Sequence, residues 1–383
     1  MARHIAQNEL RKRYMHLGLF MMPLHPPERP MHETLAEDTE KSLLADRLGF
    51  QEVWVGEHFS ATSEPIASPL MFMAGLVHRT SLNFGTGVIN LPNHHPAIVA
   101  AEVAQFDHMA QGRFMMGIGA GGLSSDFELF GDIEPKERGK RMVESLETIQ
   151  RIWAAEPPYD VGGETWPVKI SRNVLPQYGV GFMPKPFQPG GPSIHVSARS
   201  KDSQGVALAA KRGWGVISAN FVAHRILAGH WQSLAAGMRE AGQAPDGHRW
   251  RMARNFVIAA TDAEARARAT APEGATRYYF DYLGSLAKRA GLAATMTPRD
   301  DMDHNAATPE DMIDACVIVG SPRTVLDKLI ALREEAGPYG HVLMAGLDWS
   351  GPNAAWEAES MARLAQEVMP RLRQHLDRRA AAE

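Results

Sequence analysis

From residue 14 the chain alternates short apolar runs with longer segments whose apolar residues recur every three or four positions. The clearest example lies between Ser81 and Gly131. Leu82 to Asn90 is apolar and predicts a strand buried on both faces. Pro96 then opens a helix where a missing N–H costs nothing. Ile98, Val99, Val103, Phe106 and Met109 fall on one face of that helix, Gly112 ends it, and Arg113 to Ile118 resumes the strand pattern. Strand, helix and strand over about thirty residues is a βαβ unit, which joins parallel strands by a right-handed crossover.

The same rhythm runs through the rest of the chain. Tyr14 to Met22 and Glu52 to Glu57 predict strands, separated by a helix over Thr34 to Leu48 with Leu35, Leu43, Leu44 and Leu48 turned inward. A helix is expected over Leu70–Val77 and a charged amphipathic one over Pro135–Trp153. Strands follow at Ser193–Val196, Trp214–Ala219, Arg251–Ala260 and His341–Leu347, with helices over Asp202–Arg212, Ala223–Ala241 and Ala354–His375. In GSPRTVLDKLIALREEAG, Ser321 is the N-cap, Pro322 the first helical residue and Gly337 the stop. Two stretches break the rhythm. Residues 156–191 are rich in Pro and Gly and read as a hairpin-and-loop insertion, and 262–311 read as a second insertion or a lid.

About eight strand–helix alternations in one chain predict an α/β fold, a (β/α)8 TIM barrel with insertions, with an open doubly wound sheet as the other candidate. Even strand spacing through to the C-terminus favours the barrel. Residues 1–13 read as a polar N-terminal arm and 14–383 as a single barrel domain. The 383 residues are 44% hydrophobic and carry a formal charge of −4, which gives no electrostatic reason to expect nucleic acid or an anionic membrane. No apolar run is long enough to span a bilayer, and the basic N-terminus has no apolar segment after it, so neither a membrane span nor a secretory signal is expected. The one cysteine, Cys316, has apolar neighbours and reads as a small core residue. The expectation is a cytoplasmic protein.

In such a barrel the active site lies at the C-terminal ends of the strands. The side chains falling there are His25; Glu57, His58 and Phe59; Asn90, His94 and His95; Gly119 to Gly122; and Ser197, Arg199 and Ser200. GIGAGG, residues 117–122, fits G-x-G-x-x-G literally, but LSSDFELFG after it opens no clean helix, and no acidic strand end follows about twenty residues later. Its glycines instead allow close approach of a flat ligand or of another backbone. His58 is either a solvated loop residue or a proton carrier. His94 and His95 are adjacent, so their side chains diverge, and no H-E-x-x-H spacing occurs; no metal site is expected. Ser197, Arg199 and Ser200 sit between a strand and a helix start, where hydroxyls, a guanidinium and free N–H groups suit an anion; alternatively Ser200 or Asp202 only caps the helix. A mouth carrying His25, Phe59 and methionines would suit an apolar substrate.

GTGVINLPNHHPAIVAAEVAQFDHMAQGRFMMGIGAGG, together with WVGEHF and LGLFMMPLHPP, resembles the signature region of the bacterial luciferase-like flavin-dependent monooxygenase family. Within it, LGLFMMPLHPP, GTGVINLPNHHPA and SDFELFG are most similar to members labelled limonene monooxygenase. The resemblance implies a (β/α)8 barrel using FMN, reduced by a separate NAD(P)H-dependent flavin reductase. Reduced FMN and dioxygen then give a flavin hydroperoxide that oxygenates a small apolar substrate, a terpene or cyclic ketone. It implies that His58 is the active-site histidine and that Gly87-Val88 is a non-prolyl cis peptide under the flavin. Asn90, Gly119 and Ala120 would lie against the ring, and Ser197, Arg199 and Ser200 would grip the phosphate. A homodimer is implied too, with Phe72, Met73, Leu76 and Val77 as its apolar patch. Luciferases proper carry a cysteine where this chain has Gly119, which argues against light emission from a long-chain aldehyde. The same fold also serves deazaflavin-dependent hydride transfer, non-catalytic flavin binding and scaffolding, which fold alone does not separate.

Overall fold

The computed structural model describes residues 15–381; the predicted arm, residues 1–13, lies outside them. Twelve strands occur among the described residues: β1 His16–Met21, β2 Glu52–Val55, β3 Asn83–Thr86, β4 Ile89–Asn90, β5 Phe114–Gly119, β6 Tyr159–Asp160, β7 Lys169–Ile170, β8 Ser193–Ala198, β9 Gly215–Ser218, β10 Trp250–Ile258, β11 Val317–Gly320 and β12 His341–Ala345. Ten form one sheet in the order β11-β10-β12-β1-β2-β3-β5-β8-β9, with β4 on β5, and β9 pairs back onto β10. That return, through parallel pairs with helices between them, makes the fold a (β/α)8 barrel. No helix among the described residues is long and apolar enough to cross a membrane.

By contact density the chain divides into two compact units, one running through Val53 and resuming at Val196, the other Trp54–His195. In the first, β1 and β10 both register on β12, with His16 and Arg251 each opposite His341. A core around Phe280, Met296, Ile313, Cys316 and Val317 fills the space beneath helices Ala275–Arg289 and Pro309–Cys316. Cys316 is fully buried, and burial pushes its thiol up to about 12, so it is inert packing, as its neighbours predicted. The strand β11, absent from the sequence reading, pairs with the far half of β10.

The helix over residues 31–47 corrects the leucine face expected of it. Its buried residues are Thr34, Asp38, Lys41, Ser42 and Ala45, whereas Leu35, Leu43, Leu44 and Leu48 are half-buried. Charge partners explain the inversion. Lys41 Nζ lies 3.3 Å from Glu357 Oε2 and 3.6 Å from Asp38 Oδ1, and His25 bridges Asp38 and Asp348. Buried charges persist only when paired and hydrogen-bonded in this way.

His341 supplies a pH prediction. Burial, and then the Arg251 guanidinium, lower its imidazole to about 4, although Nδ1 lies 2.8 Å from Glu52 Oε1. The folded state therefore holds it neutral while the unfolded chain protonates near 6.5. The stability it contributes is full above pH 6.5 and is lost as pH falls toward 4, amounting to about 3 kcal/mol. Thermal melts at pH 7 and 4.5 should show a fall in Tm that is visibly smaller in His341→Asn.

In the second unit the single strand expected over 82–90 is two, β3 and β4, parted at the cis Gly87-Val88 peptide. Phe84, Phe106 and Phe114 pack edge to face beneath them. A Cβ on Gly117 would lie 1.8 Å from the Thr86 carbonyl oxygen, and Thr86 Oγ1 donates to Gly117 O at 2.7 Å. This glycine of GIGAGG thus admits a neighbouring backbone. The helix Pro96–Ala110 buries Val99, Val103 and Phe106 as expected, but Ile98 faces solvent. A six-residue helix, Ser124–Leu129, stands where the sequence suggested only a loop. Met73, Leu76 and Val77 are buried within the subunit, so the apolar dimer patch expected of them does not exist there.

Candidate active site

Within the second unit, strand ends and loops bring His58, Glu57, Asn90, His94, Gly119 and Ala120 onto one side of the sheet. Asn90 is in register with Gly119, and a Cβ on Gly119 would lie 2.5 Å from Val88 Cγ2 and 3.3 Å from Asn90 Oδ1. Glu57, almost fully buried, accepts from the Asn90 backbone N–H at 2.7 Å and lies 2.9 Å from His94 Nε2. Burial opposes charge on His94, but Glu57 outweighs it and the His94 pKa is raised. His95 is structural: its Nδ1 accepts from the Ala97 N–H at 3.2 Å and caps the following helix.

His58 is held between two carboxylates. Nδ1 lies 3.3 Å from Asp126 Oδ2 and Nε2 lies 3.3 Å from Glu64 Oε2. Burial pulls its pKa down, but the Asp126 bond and the charges of Glu64, Asp126 and Glu57 prevail, so it is raised. Asp126 comes from the short helix Ser124–Leu129 and accepts from the Ser60 N–H at 2.9 Å and from Ser60 Oγ at 2.5 Å. Burial would raise the Asp126 carboxyl, yet His58 and Ser60 hold it below its usual value. The two carboxylates thus fix His58 to the loop after β2 and favour its imidazolium form. Beside it the Phe59 ring is half-buried against His94 and Phe130.

Arg138 completes this side. It is 1% exposed and lies 4.0 Å over the Phe127 ring, with Nε donating to Ala120 O at 2.7 Å and Nη2 to Asn93 Oδ1 at 2.8 Å. Desolvation lowers its pKa against the charge of Asp126, and it makes no ion pair among the described residues. Arg138 Nη1 and Asn93 Nδ2 are buried donors without a partner. Gly121, at φ +92°, leaves room for this guanidinium: a Cβ there would lie 2.6 Å from Nη2.

In the other unit, β8 extends through Ala198 and so includes Ser197. The helix Gln204–Lys211 is capped by Ser203, whose side chain accepts from the Val206 N–H at 3.2 Å. Neither Ser200 nor Asp202 caps it. Ser197, Arg199 and Ser200 are exposed, and Arg199 has no carboxylate partner among the described residues; desolvation lowers its pKa. His25 is 1% exposed, with Nδ1 2.7 Å from Asp348 and Nε2 3.2 Å from Asp38, so both ring nitrogens are engaged. The carboxylates around it also hold Arg29, which pairs with Glu37 and lies 2.6 Å from Asp348; a cation already occupies the one three-ligand cluster among the described residues.

Asp126, Glu64, Arg138 and Asn93 were not singled out by the sequence.

Residues 15–340 match the family described as luciferase-like monooxygenase. The 4-hydroxyprotoasukamycin monooxygenase of Streptomyces nodosus subsp. asukaensis is 31% identical over 366 residues, covering 94% of this chain and 93% of that protein. Limonene 1,2-monooxygenase of Rhodococcus erythropolis is 30% identical over 357 residues, 92% of this chain and 85% of that protein. Among solved structures, the oxygenating constituent of 3,6-diketocamphane monooxygenase of Pseudomonas putida, a type II Baeyer–Villiger monooxygenase in complex with FMN, aligns with a TM-score of 0.83 at 27% identity, covering 93% of this chain and 98% of that one. Matched along most of its length by family and relatives alike, the chain belongs to the luciferase-like monooxygenase family.

Proposed function

We propose that this protein is the oxygenating component of a two-component monooxygenase that takes reduced FMN from a separate reductase and transfers one atom of dioxygen to a small apolar substrate. The observation carrying this reading is the set of unpaired hydrogen-bond donors. Buried donors are almost always satisfied, so Arg138 Nη1 and Asn93 Nδ2 without partners, and Arg199 without a carboxylate, fit an anionic cofactor. Ser197, Arg199 and Ser200 would hold the phosphate beside the helix capped at Ser203. Gly87, Val88, Asn90, Gly119 and Ala120 would lie along the ring, with the missing Cβ at Gly119 making room for the Val88 side chain.

Bound FMN supplies the redox and oxygen chemistry. The chain supplies an imidazole at His58, anchored by Asp126 and Glu64, whose cationic form would donate a proton without leaving its place. Phe59 and Phe130 offer an apolar wall that excludes water and suits a terpene-like or cyclic ketone substrate. A homodimer belongs to the same reading.

The test supplies photoreduced FMN, 18O2 and a panel of terpenes and cyclic ketones, and reads product mass. One 18O atom per product supports the proposal. Absence of labelled product across the panel, together with substrate reduction by a reduced deazaflavin, would replace it with hydride transfer on the same fold.

A further inference from the structure

Two imidazoles stand beside the Phe59 ring, and they are held differently. His58 has a carboxylate at each ring nitrogen, Asp126 at Nδ1 and Glu64 at Nε2, both at 3.3 Å. His94 has one. Its Nε2 lies 2.9 Å from Glu57 Oε1, and its Nδ1 makes no hydrogen bond among the described residues. Glu57 is itself fixed by the Asn90 N–H at 2.7 Å, so the His94 ring is held from a rigid point. It is not closed off there: the His94 side chain keeps 24% of its surface exposed, against 1% for Glu57. Its ring centroid is 5.5 Å from that of Phe59, which packs edge to face on Phe130 at 5.0 Å. An imidazole with one spare nitrogen thus sits at the edge of an apolar wall.

We infer that His94 sets substrate specificity by donating from Nδ1 to the carbonyl oxygen of a ketone seated on the Phe59–Phe130 wall, an inference that rests on the apolar-substrate reading. With Nε2 committed to Glu57, only Nδ1 is left for a ligand, so the site recognises a single polar atom. Burial pulls the His94 pKa down, but the Glu57 bond and the charges of Glu57 and Glu102 prevail and raise it. That favours the form carrying a proton on both nitrogens, in which Nδ1 is a donor. A ketone oxygen only accepts, which matches one donor. An alcohol would bring an O–H that the aromatic wall cannot satisfy, and a hydrocarbon would leave the imidazole N–H unpaired in the recess. An anionic substrate is disfavoured by the carboxylates already present, Glu57 at His94 and Asp126 at the Phe59 N–H.

Carvone and limonene share a terpene skeleton and differ by a carbonyl, so they serve as paired probes. Calorimetric titration of the full chain carrying oxidised FMN, at about pH 6 and so below the ordinary imidazole value, reads affinity apart from turnover. His94→Leu should weaken carvone about ten- to a hundredfold, the range for a hydrogen bond to a charged group, and change limonene less than about threefold. His94→Gln, whose amide can bond Glu57 and still donate, should recover part of the carvone affinity. In case His94→Leu folds poorly, the infrared carbonyl stretch of bound carvone gives an independent reading. It should lie below that of carvone in an apolar solvent in the wild type, and move back toward it in His94→Gln. Equal weakening of both probes, or of neither, would overturn the hydrogen bond, as would a carbonyl stretch unchanged on binding. A wild type that binds neither probe would instead overturn the apolar-substrate reading, and this inference with it.

Discussion

His58→Ala is expected to lower oxygenated product about a hundredfold while leaving FMN content close to that of the wild type. The size follows from removing a positioned acid–base group. Some stability is lost with it, because Asp126 and Glu64 lose their cation; the raised pKa makes that contribution full below pH 6.5 and lost as pH rises through the folded pKa. Reducing equivalents that no longer reach substrate should appear as hydrogen peroxide. Product by mass spectrometry and peroxide by a coupled peroxidase assay, on equal FMN, check this; an unchanged ratio of the two would remove His58 from the chemistry. Asp126→Asn sharpens the test. It deletes the bond and charge that hold the imidazole cationic, so the alkaline fall in activity should move to lower pH. A purely structural role for Asp126 would lower activity evenly across pH instead.

The barrel and the approximate place of the site were legible because both depend on local signals. Strand–helix period, the Ser321–Pro322 cap and the glycines of GIGAGG are short-range features, and the structure repeats them at Ser321 and Gly117. What escaped was set by long-range pairing. Asp126 meets His58 across 68 positions, in a polar six-residue helix with no period to announce it. Asp38 and Lys41 are buried only because Glu357, Asp348 and His25 arrive from elsewhere in the chain. The leucines of that helix were assigned inward by hydrophobicity alone, and the buried ion network took the inner face instead. Arg138 lies in a charged helix, PKERGKRMVES, where six charged residues among eleven conceal the one that is buried.

Arg199→Ala is expected to weaken FMN by about ten- to a hundredfold while changing riboflavin binding little. A charge-assisted hydrogen bond to phosphate is worth about 1.5–3 kcal/mol, and riboflavin lacks the phosphate that receives it. The cation makes no ion pair among the described residues and lies beside two exposed serines, so its loss strands no buried carboxylate. The effect should therefore appear in affinity and not in Tm. Arg199→Lys should recover part of the affinity, because a point charge replaces the charge but not the two-pronged geometry of the guanidinium. Fluorescence quenching titrations with both flavins, repeated at raised salt, separate the contributions. If the phosphate contact is direct, the FMN preference over riboflavin collapses in Arg199→Ala and shrinks with salt in the wild type. Equal weakening of both flavins would instead count against a direct phosphate contact at Arg199.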